Sequence, residues 1–350
     1  GPPGGYAPSP MMMMPPPFYP PPRGSFTRAI FTTLATTIFG LSIAANIYFL
    51  IFTGLVGGSE TAEQTILVSG DSRQKIAVVD VNGIIDENTF IVLDKMLKQV
   101  ENDGDVKAVV VQVDTLGGEV GASDEIYHRI LKYKEDRHVP VVVAMGSFAT
   151  SGGYYVSCAA DQIVAQRTTW TGNIGVLFPR YDVSQLLTKW GISDETIAPE
   201  STPFKTAGDP TRPMTPDERK YWLDLVDDAF ATFKDVIKTG RGARLTQSLD
   251  TIANGKAYTA GEAKKLGLID QIGYQADAYD LAATLTSPKL TNKQVVRYEP
   301  APSLVDSITG RSQSQSSMQS VSINGVNIKL DRHWLDELAS PRIMYLWRGQ

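Results

Sequence analysis

The segment Ser147-Phe148-Ala149-Thr150-Ser151-Gly152-Gly153-Tyr154-Tyr155 holds the residue types that acyl transfer needs. A serine before two glycines, after a valine-rich run and before an apolar helix-like stretch, presents its hydroxyl at a strand-to-helix turn. The glycines let a carbonyl approach backbone N–H groups closely. A second pair, in Asp114-Thr115-Leu116-Gly117-Gly118, also follows a strand-like run. Ligands of open α/β sheets bind beyond the carboxyl ends of strands. Ser151 is therefore a candidate nucleophile, with the N–H groups of Gly118 and Gly152 as candidate oxyanion donors. Taken singly, each pair also fits a plain tight turn. The spacings GxxxxGK[ST] and GxGxxG do not occur, which disfavours nucleotide binding.

A serine nucleophile needs a base, and the chain has three histidines. His128 falls among charged residues of a predicted helix, His138 sits beside Arg137 before a strand, and His333 lies near the C-terminus. All three read as solvated side chains. A lysine replaces histidine as a base when desolvation disfavours its ammonium form. The best placed is Lys205 in Pro203-Phe204-Lys205-Thr206-Ala207-Gly208-Asp209-Pro210, with Asp209 as its nearest acid. A loop lysine is ordinarily a surface charge, and sequence alone does not bury it.

These residues need an α/β scaffold. Lys75–Val81, Val106–Val113 and Val139–Met145 are short valine-rich runs of the kind that form strands buried on both faces. Val92, Met96, Leu97 and Val100 fall at helical spacing between the first two, and Ala122–Tyr133 does the same between the second and third. The alternation implies crossover connections. Tyr221–Ile237 predicts another amphipathic helix, opened by Thr215-Pro216-Asp217-Glu218, where threonine caps and proline takes the first turn.

Ahead of the α/β region, residues 29–56 carry no charge and exceed the roughly 20 residues that span a bilayer. A transmembrane helix is expected; a cleaved signal peptide would have a shorter apolar core, about 7–15 residues. Arg23 and Arg28 precede the span and Glu60 and Glu63 follow it, so the positive-inside rule puts the N-terminus in the cytoplasm. Residues 1–28, rich in proline and with Met11–Met14 in a row, predict a disordered tail. Gly1 in place of an initiator methionine suggests a processed or truncated product. The formal net charge is −5 with no basic cluster, which argues against nucleic-acid binding. Cys158 is the only cysteine, so neither an intrachain disulfide nor a cysteine zinc site is available.

In order along the chain, Val106–Gly118, Val139–Tyr155, Thr171-Gly172-Asn173-Ile174-Gly175-Val176, Phe204–Pro210 with Arg212–Thr215, Gly255–Thr259 and Leu266–Asp270 resemble the signal peptide peptidase A family of serine proteases. That family is related to the Clp protease/crotonase fold group of repeated β-β-α units. The resemblance implies that Ser151 is the nucleophile, Lys205 the general base, and Gly118 and Gly152 the oxyanion positions. It further implies peptide hydrolysis through an acyl-enzyme with no metal or organic cofactor. Where the family usually has Ser-Pro, this chain has Thr115-Leu116, which implies a less rigid turn before Gly117; Thr150 replaces a common alanine and Asn173 a frequent serine.

One copy of the protease region is present, as in shorter members that form rings. The resemblance thus implies a homo-oligomer, an octamer among the options, in which one subunit can lend its lysine to another's serine. Substrates would be signal-peptide remnants or other hydrophobic peptides, and the catalytic region would lie on the non-cytoplasmic side of a bacterial inner membrane. A protease specific for one membrane protein, an acyl-CoA enzyme of the crotonase type and an inactive scaffold are the rival readings. The expected organisation is a tail (1–28), a transmembrane helix (29–56), a linker (57–74), a peptidase domain (75–290) and a C-terminal extension (291–350). Within that extension, Ser312–Val321 reads as a solvated linker. Asp331–Leu338 with Tyr345-Leu346-Trp347 reads either as a terminal helix on its own core or as a plug on a neighbour.

Overall fold

Valine-rich runs separated by capped helices fold here as one large twisted sheet with helices on both faces. The structure, a computed structural model, describes residues 25–56, 63–299, 318–323, 326–331 and 343–347. The proline-rich tail, Met11–Met14 and the segment containing His333 lie outside the described residues. The chain divides into two units, Gly1–Gly57 and Gly58–Gln350.

In the first unit, α1 (Ser25–Val56) is a 32-residue helix. Its stretch Ala29–Phe49 has a mean hydropathy of 1.6 and is long and apolar enough to cross a membrane. Thr33, Thr36 and Thr37 donate their hydroxyls to carbonyls one turn earlier, so these polar groups need no water.

The second unit runs β1 (Glu63–Val68), β2 (Asp71–Ile85), α2 (Glu87–Asn102), β3 (Val106–Glu119), α3 (Val120–Arg137), β4 (Val141–Thr150), α4 (Gly152–Ser157), β5 (Gln162–Ala165) and β6 (Trp170–Gly172). It continues with α5 (Ser184–Lys189), α6 (Pro216–Arg241), α7 (Leu249–Ile252), β7 (Ala257–Thr259), α8 (Ala260–Leu266), β8 (Gln271–Ile272), α9 (Gln275–Leu285) and β9 (Lys293–Glu299). Last come β10 (Met318–Ile323), β11 (Val326–Asp331) and β12 (Met344–Leu346). The sheet order is β1-β9-β2-β3-β4-β5-β8, with β6 on β4, β7 on β6 and β12 on β3. Strands β9, β2, β3, β4, β5 and β8 are parallel, whereas β1, β7 and β12 join antiparallel.

Alternation along the strands splits the core. Ala77, Val79, Val109, Val111, Val141 and Val143 face the α2, α3 and α4 side. Ile76, Val78, Val110, Val142 and Val295 face α9, whose Ala278, Ala282 and Ala283 pack close to the sheet. Each such valine or isoleucine contributes about 1.5–3 kcal/mol by leaving water. On α2 the buried stripe is Leu93, Met96, Leu97 and Val100, so Leu93 takes the core position expected for Val92, which packs at its margin. The predicted cap at Thr215 is present: its hydroxyl accepts from the Glu218 N–H, and Glu218 closes a capping box.

The mixed α/β expectation with one leading apolar helix therefore stands. Two local readings change. Residues 318–321, placed in a solvated linker, form part of β10, which pairs with β11. The Tyr345-Leu346-Trp347 end is an extended strand on its own chain, because its backbone completes a ladder that β3 leaves open. Residues 332–338 of the predicted terminal helix lie outside the described set.

Candidate active site

Strand β4 carries the chain directly to Ser151, which turns into α4 with φ 54° and ψ −114°. A left-handed φ is costly for a residue with a Cβ, and such strain gathers at functional turns. Parallel pairing of β4 with β6 matches Thr150 with Gly172, and the Ser151 N–H donates to the Gly172 carbonyl at 2.7 Å. With that amide used, the serine's free group is its hydroxyl. Ser151 is fully buried, and its Oγ has no hydrogen-bond partner among the described residues. An unpaired buried hydroxyl costs about 1–3 kcal/mol, so its persistence wants an explanation.

The glycine pair of β3 lies against this turn. A Cβ on Gly152 would sit 3.3 Å from both the Gly118 nitrogen and the Gly117 Cα, and a Cβ on Gly118 would overlap the Ile85 carbonyl of β2. Gly117 itself has φ +103°. Only glycine satisfies these positions, and together they bring the Gly118 and Gly152 backbones beside Ser151. Thr115 pins the turn. Its hydroxyl donates to the Gly83 carbonyl and accepts from the Gly117 N–H at 2.9 Å, so Thr115-Leu116 restrains the loop by hydrogen bonding where proline would have done so sterically. Asp114 accepts from the Phe148 N–H at 3.0 Å, tying β3 to β4 three residues before Ser151.

Lys205 occupies a short 3-10 turn, Pro203–Thr206, between α5 and α6, and is exposed. It makes no hydrogen bond to Ser151, whose Oγ has no partner among the described residues. The loop around it is held firmly. Arg212 bonds both the carbonyl and the hydroxyl of Thr206 at 2.9 Å, and is itself paired with Glu218. The Arg212 hydrogen bonds hold the buried Glu218 carboxyl down to about 2. Arg180 reaches the Asp209 carbonyl at 2.7 Å, and Gly208, at φ +90°, rests on the Trp222 ring.

Two of the sequence motifs support the site without touching it. In Leu266–Asp270, Asp270 takes two hydrogen bonds from the fully buried Arg241, at 2.6 and 3.0 Å, and accepts from the Ile163 N–H. In Gly255–Thr259, residues 257–259 form β7 and brace β6, which holds the Ser151 amide. His128 and His138 are exposed, as expected of solvated side chains.

Sequence reasoning missed the strand that pairs with the end of β3 beside Ser151. Strand β12 pairs antiparallel with the end of β3, with Tyr345 opposite Gly118. The Val120 N–H donates to Ile343 O at 3.3 Å and the Trp347 N–H to Leu116 O at 2.9 Å. On the other side, Leu177 and Met344 exchange backbone hydrogen bonds at 3.1 and 2.9 Å. A Cβ on Gly117 would overlap the Tyr345 carbonyl oxygen and lie 2.9 Å from the Gly152 nitrogen. The sequence marks Tyr345-Leu346-Trp347 as apolar but carries no signal of the strand it joins.

Residues 133–288 match the model of Peptidase family S49. An Enterococcus faecium protein described as a signal peptide peptidase SppA is 33% identical over 257 residues, covering 69% of this chain and 72% of that one. A Synechocystis sp. protein described as a protease is 32% identical over 247 residues, covering 71% of this chain and 87% of that one. Among solved structures, a mutant of the 1510-N membrane-bound stomatin-specific protease aligns with a TM-score of 0.42 and 17% identity, covering 65% of this chain and 98% of that one.

Proposed function

The chain belongs to peptidase family S49, serine peptidases of the signal peptide peptidase kind, and on that premise we propose that Ser151 and Lys205 are its catalytic dyad, assembled between copies of the chain. The observation that carries the reading is Ser151 itself: a strained turn, a buried hydroxyl without a partner, and the glycine backbones of residues 117, 118 and 152 around it.

Lys205 Nζ takes the proton from Ser151 Oγ as that oxygen attacks the peptide carbonyl. The N–H groups of Gly118 and Gly152 hold the tetrahedral oxyanion. Lys205 then returns the proton to the leaving amine, and the acyl-enzyme forms. In the second half it deprotonates a water that releases the acid product. All bonds balance without a cofactor.

Supply of the lysine from another copy accounts for both halves of the geometry, an unpartnered serine and an exposed lysine. The region that bears Lys205 also exposes Leu186, Trp190, Ile192, Ile197, Phe204 and Leu223, a concentration of large apolar side chains that a second copy would cover. Covering removes Lys205 from water, the condition under which a lysine serves as a base. With α1 in the membrane and its N-terminus cytoplasmic, the peptidase works on the far side, on hydrophobic peptides such as signal-peptide remnants.

The test is hydrolysis of a quenched fluorescent peptide with an apolar core by the detergent-solubilised chain, its Ser151→Ala and its Lys205→Ala variants. Loss in both, with assembly size unchanged, supports the dyad. Turnover surviving in either sinks it.

A further inference from the structure

The geometry points to a second binding site, for a small phosphate ester, where the central strands begin. The inference does not rest on the peptidase reading, because the site lies at the opposite end of the sheet from Ser151.

Among the described residues, a cavity of about 470 Å³ opens at the starts of β2, β3, β4 and β9. Ligand pockets run from about 300 to 1,000 Å³, so this one has room for a small molecule. Arg73 comes from the start of β2, Lys107 from the start of β3 and His138 from the turn before β4, while residues 286–291 join α9 to β9. Ser151 follows the far end of β4. That strand is 10 residues long, so at about 3.3 Å per residue the cavity is about 30 Å from the serine.

The charge of the cavity is one-sided. Arg73, Lys107, His138 and Lys289 line it, and no Asp or Glu does. The chain as a whole has 38 acids against 33 lysines and arginines, so a cavity of cations alone runs against composition. Cations do gather at the carboxyl ends of helices, as Lys134 and Arg137 do on α3. Lys107 and Lys289 belong to a strand and a loop, and that reason does not cover them. Lys289 makes no ion pair or hydrogen bond among the described residues. Lys107 Nζ donates only to the Gly104 carbonyl, at 2.7 Å, which leaves its charge unmatched. Arg73 is partly neutralised, giving Nε and Nη2 to Asp71 at 3.3 Å, and Asp105 is the other carboxylate that its charge feels. Like charges around one space repel, and an anion placed between them turns repulsion into attraction.

The walls are fixed without spending these charges. Gln74 Oε1 accepts from the Thr291 and Asn292 N–H groups at 3.1 and 3.3 Å, and the buried Thr286 hydroxyl accepts from the Leu290 N–H at 3.2 Å. The Pro140 carbonyl accepts from the Val109 N–H at 3.0 Å. The cationic heads are the groups left for a ligand. A phosphate monoester brings three strong acceptor oxygens and a charge of about −1.5 to −2, a better match to several cations than a carboxylate. Val139, Pro140 and Leu290 supply an apolar wall for the esterified group. A soluble phosphate ester and a lipid headgroup share this chemistry.

The experiment is isothermal titration calorimetry of the full chain in a neutral detergent, at low ionic strength, where exposed charges are least screened. The probes are glycerol 3-phosphate, inorganic phosphate, glycerol and dihexanoyl phosphatidylglycerol. Glycerol 3-phosphate is expected to bind severalfold more tightly than inorganic phosphate, and glycerol not at all. Lys107→Gln/Lys289→Gln should weaken the ester at least about tenfold, and Lys107→Arg/Lys289→Arg should keep it bound. An unchanged urea midpoint shows that the fold is intact. Should the double variant unfold, Lys289→Gln alone decides, since that side chain is exposed and unpaired: it must weaken binding severalfold. Tighter binding of dihexanoyl phosphatidylglycerol than of glycerol 3-phosphate assigns the site to a lipid headgroup, and the reverse order to a soluble ester. No binding of any phosphate probe, equal binding of glycerol or of inorganic phosphate, or full binding by the glutamine variants overturns the inference.

Discussion

Mixing two inactive chains distinguishes a dyad shared between copies from one completed within a chain. Ser151 Oγ has no partner in its own chain and Lys205 stands exposed in the Pro203–Thr206 turn. Ser151→Ala and Lys205→Ala should each lose roughly 10^3–10^6 in turnover, as removal of a nucleophile or its base does. In a head-to-tail assembly, a site is intact when a chain with wild-type Ser151 meets a neighbour with wild-type Lys205. For random 1:1 mixing that is half of the serines times half of the lysines, about a quarter of all sites. The two chains are co-expressed with different tags and purified on both in sequence, and initial rates are read with the quenched apolar peptide. Activity near a quarter of the parent's is the expected result. Activity no higher than that of either variant alone would refute the shared dyad, because an in-chain pair cannot be repaired by mixing.

The remaining predictions concern the supports. Arg241→Ala leaves the Asp270 carboxylate without its buried partner and should cost about 3–5 kcal/mol, read as a lower urea midpoint with the slope unchanged. Gly117→Ala places a Cβ at φ +103° and into the Tyr345 carbonyl, so it should abolish turnover of the quenched peptide. The Glu218 carboxyl is held at about 2, below its ordinary 4.5, so its pairing with Arg212 is fully stabilising above the ordinary value and fades as pH falls toward 2. Trp222 fluorescence, which reports the Lys205 loop through Gly208, should be flat from about pH 8 to about pH 5 and change only in stronger acid. Glu218→Gln should remove that acid transition.

What could be read from residue order depended on how local each feature is. The strand-to-helix turn at Ser151 was legible because strand, turn and helix are contiguous there and each leaves its own signal. The Thr215 cap was legible for the same reason, whereas Leu93 and Val92 are adjacent on α2 and helical spacing alone does not choose between them. Lys205 was picked by its neighbours and family pattern, and local sequence does not encode its exposure in the Pro203–Thr206 turn. The pairing of Tyr345 with Gly118, and the salt bridge that gives Asp270 its purpose, are contacts between distant segments. No local periodicity announces them.

The brace behind Ser151 also bears on when the proposed site comes into being. Ser151 is held by Gly172 of β6, β6 by residues 257–259 of β7, and β2 at the sheet's centre by β9. These are contacts of large sequence separation, which form late in folding. A chain still being synthesised, with its serine motif already made, has neither β7 nor β9 with which to close the turn. The proposed site therefore closes only once the last third of the domain is in place, and a half-made chain carries Ser151 without the strands that hold its turn.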